Sequence, residues 1–206
     1  MLVEIRYDGF LYYFDALSNC KENYWGIRKG RNRYFYEYWQ LTGELSLWQR
    51  ALIKLPRMII NNIQPYVRTQ YFYSLMVGNR RNSSPFNQNF LCYGGSDLAT
   101  LSRKYVEYLY RFTKQNPDII NHYKKPIFPD ESFIVTILVN SELFNLCDDY
   151  KRYMDWTETR QGHPRILTVK YYPIITNDNI HFARKFDIIY DSRILDMLDA
   201  RILQGS

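Results

Sequence analysis

The chain has 206 residues, of which 46% are apolar, 23% are charged and 17% are aromatic, including 20 Tyr, 12 Phe and 4 Trp. That many aromatics exclude a disordered chain, and the low Gly, Cys and Ala content excludes collagen-like, disulfide-scaffold and coiled-coil classes. The net charge of +6 fits a solvated basic surface or an anionic partner such as a nucleotide sugar, a phospholipid surface or a nucleic acid. Nucleic acid fits least, because Lys and Arg are spread along the chain and no RNP1, zinc-finger or basic-zipper pattern occurs. Cys20, Cys92 and Cys147 lack C-x-x-C or Cys/His spacing, so no zinc site is expected and the thiols read as free in a reducing compartment.

Glu4, Arg6 and Asp8 crowd the opening segment, unlike a signal or transit peptide, and no run of about 18 uncharged apolar residues predicts a spanning helix. Residues 1–43 are dense in aromatics, with a basic cluster at Arg28, Lys29, Arg31 and Arg33 beside Tyr34, Phe35, Tyr36, Tyr38 and Trp39. Residues 44–64 have helical spacing. Leu45, Trp48, Leu52, Leu55 and Ile59 make an apolar stripe, Arg50, Lys54 and Arg57 make a basic one, and Pro56 is expected to kink or divide the helix. The pattern fits an ordinary surface helix or one lying on an anionic membrane. Residues 78–89 read as a loop and Phe90–Tyr93 as a short strand. Ser102 is placed to cap a helix carrying Tyr105, Val106, Leu109 and Phe112, and Asp130 one carrying Phe133, Ile134, Ile137 and Leu138. Strands at Arg152–Trp156 and His181–Phe186 alternate with helices near Lys170–Thr176 and Arg193–Leu203, which predicts an α/β fold. We expect a single domain over residues 1–206, with an aromatic and helical part (1–89) preceding a second part (90–206).

Three local features can carry chemistry. In Phe128-Pro129-Asp130-Glu131-Ser132-Phe133, a carboxylate in the first helical turn sits at the positive end of the dipole, which favours its charged form, as a general base requires. The alternative is that Asp130 and Glu131 only cap the helix. In His181-Phe182-Ala183-Arg184-Lys185-Phe186-Asp187, adjacent cations on a strand point to opposite faces, so one of them faces inward. There it needs an anionic ligand such as a diphosphate, or an acid such as Asp187. Gly94-Gly95-Ser96-Asp97 lets the backbone approach a ligand or take positive φ, or is a simple turn. Trp156 either stacks on a sugar or joins the core. The histidines, His122, His163 and His181, have no i,i+4 partner, and there is no Ser-His-Asp set, P-loop or G-x-G-x-x-G.

Taken in order, Gly94-Gly95-Ser96-Asp97 through Tyr108, Pro129-Asp130-Glu131-Ser132-Phe133 through Ser141, Arg152–Trp156, His163–Thr168 and Phe182–Asp187 resemble one family. It is the core-2/I-branching β-1,6-N-acetylglucosaminyltransferases and peptide O-xylosyltransferases, glycosyltransferase family 14. The resemblance covers about residues 90 to 200. It implies a GT-A-like α/β fold and a metal-independent, inverting transfer of GlcNAc or xylose from a UDP-sugar to a glycan or peptide hydroxyl, in surface polysaccharide synthesis or glycan branching. By the same resemblance Glu131 matches the catalytic base, and Arg165, Arg184 and Lys185 match diphosphate-binding cations. Asp97 falls at the sugar site with Ser96 and Gly95, although Leu98 replaces the Trp of the xylosyltransferase pattern, and Trp156 is a substrate-stacking candidate. No cofactor or metal is implied, and no D-x-D triplet occurs.

Nothing before residue 44 reads as a nucleotide-binding region, so the chain is expected to correspond to the C-terminal part of such an enzyme. Two other readings remain at this stage: a non-catalytic sugar- or partner-binding remnant of the family, and a basic membrane-surface protein acting through residues 44–64. The expected location is the cytoplasm, peripheral to a membrane at most, or the Golgi membrane for a eukaryotic member.

Overall fold

A computed structural model of the protein describes residues 7–157 and 163–204. The chain forms two compact units, Met1–Asp149 and Tyr150–Ser206. Both mix helices with short strands.

The first unit holds two three-stranded sheets. In one, β1 (Gly9–Asp15) lies between β5 (Tyr93–Leu101), antiparallel to it, and β6 (Leu146–Cys147), parallel to it. The pairing of β1 with β5 slips between Leu11 and Tyr13. That slip resets the alternation of faces, so Leu11 and Phe14 are both buried although an odd number of steps separates them. In the second sheet, β4 (Leu75–Arg80) pairs antiparallel with β2 (Tyr36–Gln40) and β3 (Val67–Tyr71). The segment predicted as a loop over 78–89 therefore begins as strand.

Helices α1 (Ile27–Tyr34), α2 (Leu47–Ile63), α3 (Arg103–Gln115), α4 (Pro117–Tyr123) and α5 (Phe133–Asn140) complete the unit. Its main core joins Phe14, Ala16, Trp25, Tyr34, Cys92 and Tyr123. Helix α1 comes so close to the chain after β1 that a Cβ on Gly30 would lie 2.1 Å from the Ala16 carbonyl oxygen.

Helix α2 departs from expectation in two ways. It runs unbroken through Pro56, which is exposed, so the carbonyl that Pro leaves unbonded is open to water. Its faces are also inverted. The guanidiniums of Arg50 and Arg57 lie over the Tyr71 ring, 5.0 and 6.0 Å from its centre, while the predicted apolar stripe points outward. Asn61 fixes this orientation: its amide donates to the Thr69 carbonyl (2.9 Å) and its carbonyl accepts the Thr69 N–H (2.8 Å). An amide side chain thereby takes the place of a neighbouring strand at the edge of β3.

In the second unit, β7 (Arg152–Tyr153) and β8 (Phe182–Ala183) pair in parallel. Helices α6 (Tyr172–Ile175) and α7 (Arg193–Gln204) contribute to a core of Leu167, Tyr171, Ile175 and Ile194.

Candidate active site

Glu131 does not lie in the first turn of α5. It ends a single 3-10 turn, Pro129–Glu131, and Ser132 rather than Asp130 takes the N-cap position of the helix. Phe128 enters the turn with φ of 53°, a strained value for a residue with a side chain, and its carbonyl accepts the Tyr34 hydroxyl at 3.1 Å. Behind the turn, a buried hydroxyl network ties it to β5. Ser132 Oγ donates to the Tyr93 carbonyl (2.7 Å) and meets the Tyr123 hydroxyl (2.8 Å). Thr136 Oγ1 accepts the Tyr93 N–H (3.0 Å) and the Tyr123 hydroxyl (3.2 Å). Burial and the nearby Cys92 push the Tyr123 hydroxyl far above its ordinary range, so it stays a neutral donor.

The charge that faces Glu131 comes from α1. Arg33 Nη1 forms a short ion pair with Glu131 Oε2. The guanidinium is held over Trp25, 4.1 Å from the ring centre, and over Phe128 at 4.9 Å, with only 10% of the side chain exposed. Sequence reasoning missed this partner. Its only local signal was the basic cluster beside Trp25, and 98 positions separate the two charges. Lys29, one helical turn before Arg33, lies 5.7 Å from the Trp25 ring. Burial and then the Arg33 charge lower its ammonium pKa, with Glu131 opposing. Beside the pair is a cavity of about 410 Å³ lined by Trp25, Arg28, Lys29, Arg33, Gln70 and Phe72, among others. Among the described contacts only Oε2 of Glu131 is engaged, and the side chain is 29% exposed.

The other predicted residues separate into two groups. Gly94 and Gly95 are interior positions of β5, not a turn, and neither takes positive φ. Their close approach is to the chain itself. A Cβ on Gly95 would lie 2.1 Å from the Tyr12 carbonyl oxygen, and one on Gly94 would lie 2.4 Å from the Trp25 ring. Ser96 Oγ accepts the Leu98 N–H at 3.0 Å, and the next residue, Asp97, is exposed. The Glu131 turn packs on β5 at Tyr93.

Arg165, Arg184, Lys185 and Trp156 belong to the second unit, where backbone bonds bring their segments side by side. The Arg165 N–H donates to the Asp155 carbonyl (2.7 Å), Arg184 to Tyr153 (3.0 Å), and Leu167 to Lys185 (2.8 Å). The expectation that one of the adjacent cations faces inward is corrected. Strand β8 ends at Ala183, the Arg184–Lys185 peptide is cis, and both side chains are exposed. Asp187 forms no ion pair with either; its carboxylate accepts the Ile189 N–H at 2.9 Å. Arg165 is half-buried, with Nη1 3.4 Å from Thr157 Oγ1. Trp156 is 50% exposed. Asp155 organises this region: hydrogen bonds from Thr157 and Tyr171 hold its carboxyl down at about 2. Among the described residues no group of His, Cys, Asp and Glu is arranged to hold a metal ion.

A family model described as "Core-2/I-Branching enzyme" matches residues 53–181, more than half of the chain. Glu131 and Arg165 lie inside that span, and Arg33, Arg184 and Lys185 lie outside it. The chain is 26% identical over 117 residues to beta-glucuronosyltransferase GlcAT14B of Arabidopsis thaliana, an alignment covering 55% of this chain and 26% of that protein. The chain thus spans about a quarter of the length of the curated relative that it matches. No solved structure matches it.

Proposed function

We propose that this chain, which belongs to the core-2/I-branching enzyme family and so to a GT-A-like fold, supplies the catalytic base of a metal-independent, inverting glycosyltransferase. Glu131 carries the reading. Its Oε2 is pinned by Arg33, which lines a cavity that also presents an aromatic ring and further cations, and its Oε1 has no hydrogen-bond partner among the described contacts. An acceptor hydroxyl bound there gives its proton to Glu131. Its oxygen attacks the anomeric carbon of the UDP-sugar as the bond to the diphosphate oxygen breaks, inverting the configuration. Direct displacement also requires the departing diphosphate to be neutralised, and we assign Arg165, Arg184 and Lys185 to that role. The donor sugar is GlcNAc or xylose. The name of the Arabidopsis relative adds glucuronic acid as a third class to test.

The experiment is UDP release from UDP-GlcNAc, UDP-xylose and UDP-glucuronic acid by the full-length protein, with Glu131→Gln as the control. We expect Glu131→Gln to lower kcat by at least a hundredfold while the thermal melt stays within a few degrees. Sugar binding with no UDP release from any donor would favour a non-catalytic binding role. An active Glu131→Gln variant would remove the base from the mechanism.

A further inference from the structure

Helix α2 presents outward what a surface helix normally buries. Leu47, Trp48, Leu52, Leu55, Ile59 and Ile63 are each between 57% and 82% exposed, and none of the 17 residues of the helix is fully buried. Trp48, Leu52, Leu55 and Ile59 follow one another at spacings of 4, 3 and 4, so they form one continuous ridge. The helix keeps this orientation because its anchoring side is polar, with Arg50 and Arg57 on Tyr71 and Asn61 on Thr69.

Cations predominate around the ridge, and Glu44, just ahead of the helix, is already paired with Arg50 at 2.9 Å. Helix α2 carries Arg50, Lys54 and Arg57 and no acid. At its C-terminal end, Asn62 accepts a hydrogen bond from Arg28 Nη2 at 2.7 Å, which brings in α1 with the exposed cations Arg28, Lys29 and Arg31 and again no acid. Two copies meeting ridge to ridge would bring Lys54 and Arg28 toward their like, with no acid on either helix to answer them. A convex apolar ridge with an exposed Trp and cations at its margin has the chemistry of a helix lying in the headgroup layer of an anionic bilayer. Among the described residues no helix is long and apolar enough to cross a membrane, so the contact would be peripheral.

We propose that α2 docks this protein on an anionic phospholipid surface, with Trp48, Leu52, Leu55 and Ile59 in the headgroup layer and Lys54 and Arg28 on the lipid phosphates.

The test is co-sedimentation of the full chain with phosphatidylcholine vesicles made with and without phosphatidylserine, read alongside Trp fluorescence and the melting curve. Binding is expected only with phosphatidylserine. It should weaken as salt is raised and shift the emission of Trp48 to the blue, a change absent from Trp48→Phe. Lys54→Glu should lower the partition coefficient roughly tenfold. The double variant Leu52→Glu with Leu55→Glu should abolish binding while leaving the melt unchanged, because both side chains face out. Several results would overturn the proposal: no sedimentation with anionic vesicles, equal binding to neutral ones, or unfolding of the double variant, which would mean that the ridge packs within the fold. A dimer in sedimentation equilibrium that the double variant turns into monomer would assign the ridge to a second copy instead.

Discussion

Replacing Thr136 by Val probes the network that seats the Glu131 turn on β5. The two side chains have nearly the same shape, so the change removes an oxygen and leaves little cavity. Thr136 Oγ1 accepts the Tyr93 N–H at 3.0 Å, and valine would strand that donor against a fully buried side chain. A stranded donor costs about 1–3 kcal/mol, and the lost bond from Tyr123 adds about 1 kcal/mol. Ser132→Ala is the matched comparison. It removes a hydroxyl that is equally buried, yet the Tyr93 carbonyl keeps Thr136 Oγ1 at 3.0 Å and the Tyr123 hydroxyl keeps Thr136 Oγ1 at 3.2 Å. Its cost should be only about 1 kcal/mol. We therefore expect Thr136→Val to cost about 3 kcal/mol. For a domain of this size that corresponds to about 6–12 °C in Tm, against about 2–4 °C for Ser132→Ala. Thermal unfolding followed by circular dichroism measures both, and hydrogen exchange at the Tyr93 amide should quicken in the Thr136 variant alone. If Ser132→Ala proves equal or worse, the assignment of the Tyr93 donor to Thr136 is wrong.

Two further outcomes follow from the first unit. His122 is 5% exposed with Nε2 unbonded; burial, and after it the Arg81 charge, hold its pKa down at about 4, below its ordinary 6.5, against the opposing Glu37. The unfolded chain thus takes up this proton before the folded one. The stability contribution is intact above pH 6.5 and shrinks as the pH falls toward 4, amounting to about 2 kcal/mol between pH 7.5 and 5. Urea titrations of the wild type and His122→Phe should show this slope in the first and its loss in the second. Gly95→Ala should be costly, about 3 kcal/mol or more, because its Cβ would meet the Tyr12 carbonyl oxygen at 2.1 Å in the middle of a strand pair; Gly43→Ala, with nothing within 4 Å, should be neutral. Equal melting temperatures for the two would contradict the packing described for β5.

The parts of this protein that depend on neighbours in sequence were legible there. The helix that follows Ser102 and the one that begins at Arg193 fall where the sequence put them. The ordered stretches from Gly94 to Asp187 pointed to the family to which the chain belongs. What depends on contacts between distant segments was not. Periodicity shows that α2 has an apolar side but not which side faces the sheet; Asn61 and Tyr71 decide that. The alternation rule put an inward cation at Arg184 or Lys185, but it applies only while a strand lasts, and β8 stops at Ala183. The glycine pair looked like a turn because the carbonyl and the ring that exclude larger side chains come from Tyr12 and Trp25, roughly seventy to eighty residues earlier. The Glu131 partner was hidden for the same reason. A carboxylate beside a proline announces a cap, and only the folded chain brings a guanidinium from α1 to it.

The Asn61 bridge to Thr69 has a consequence for how the protein can change. A strand whose outer hydrogen-bonding groups are bare invites another chain to add to it, and here one amide side chain closes the middle of that row. The same bridge anchors α2 through polar groups, so folding makes no demand on the hydrophobicity of the helix's outer side. Mutation is free to reshape that side for whatever surface it meets, without unseating the helix or reopening the sheet to fibril-like growth.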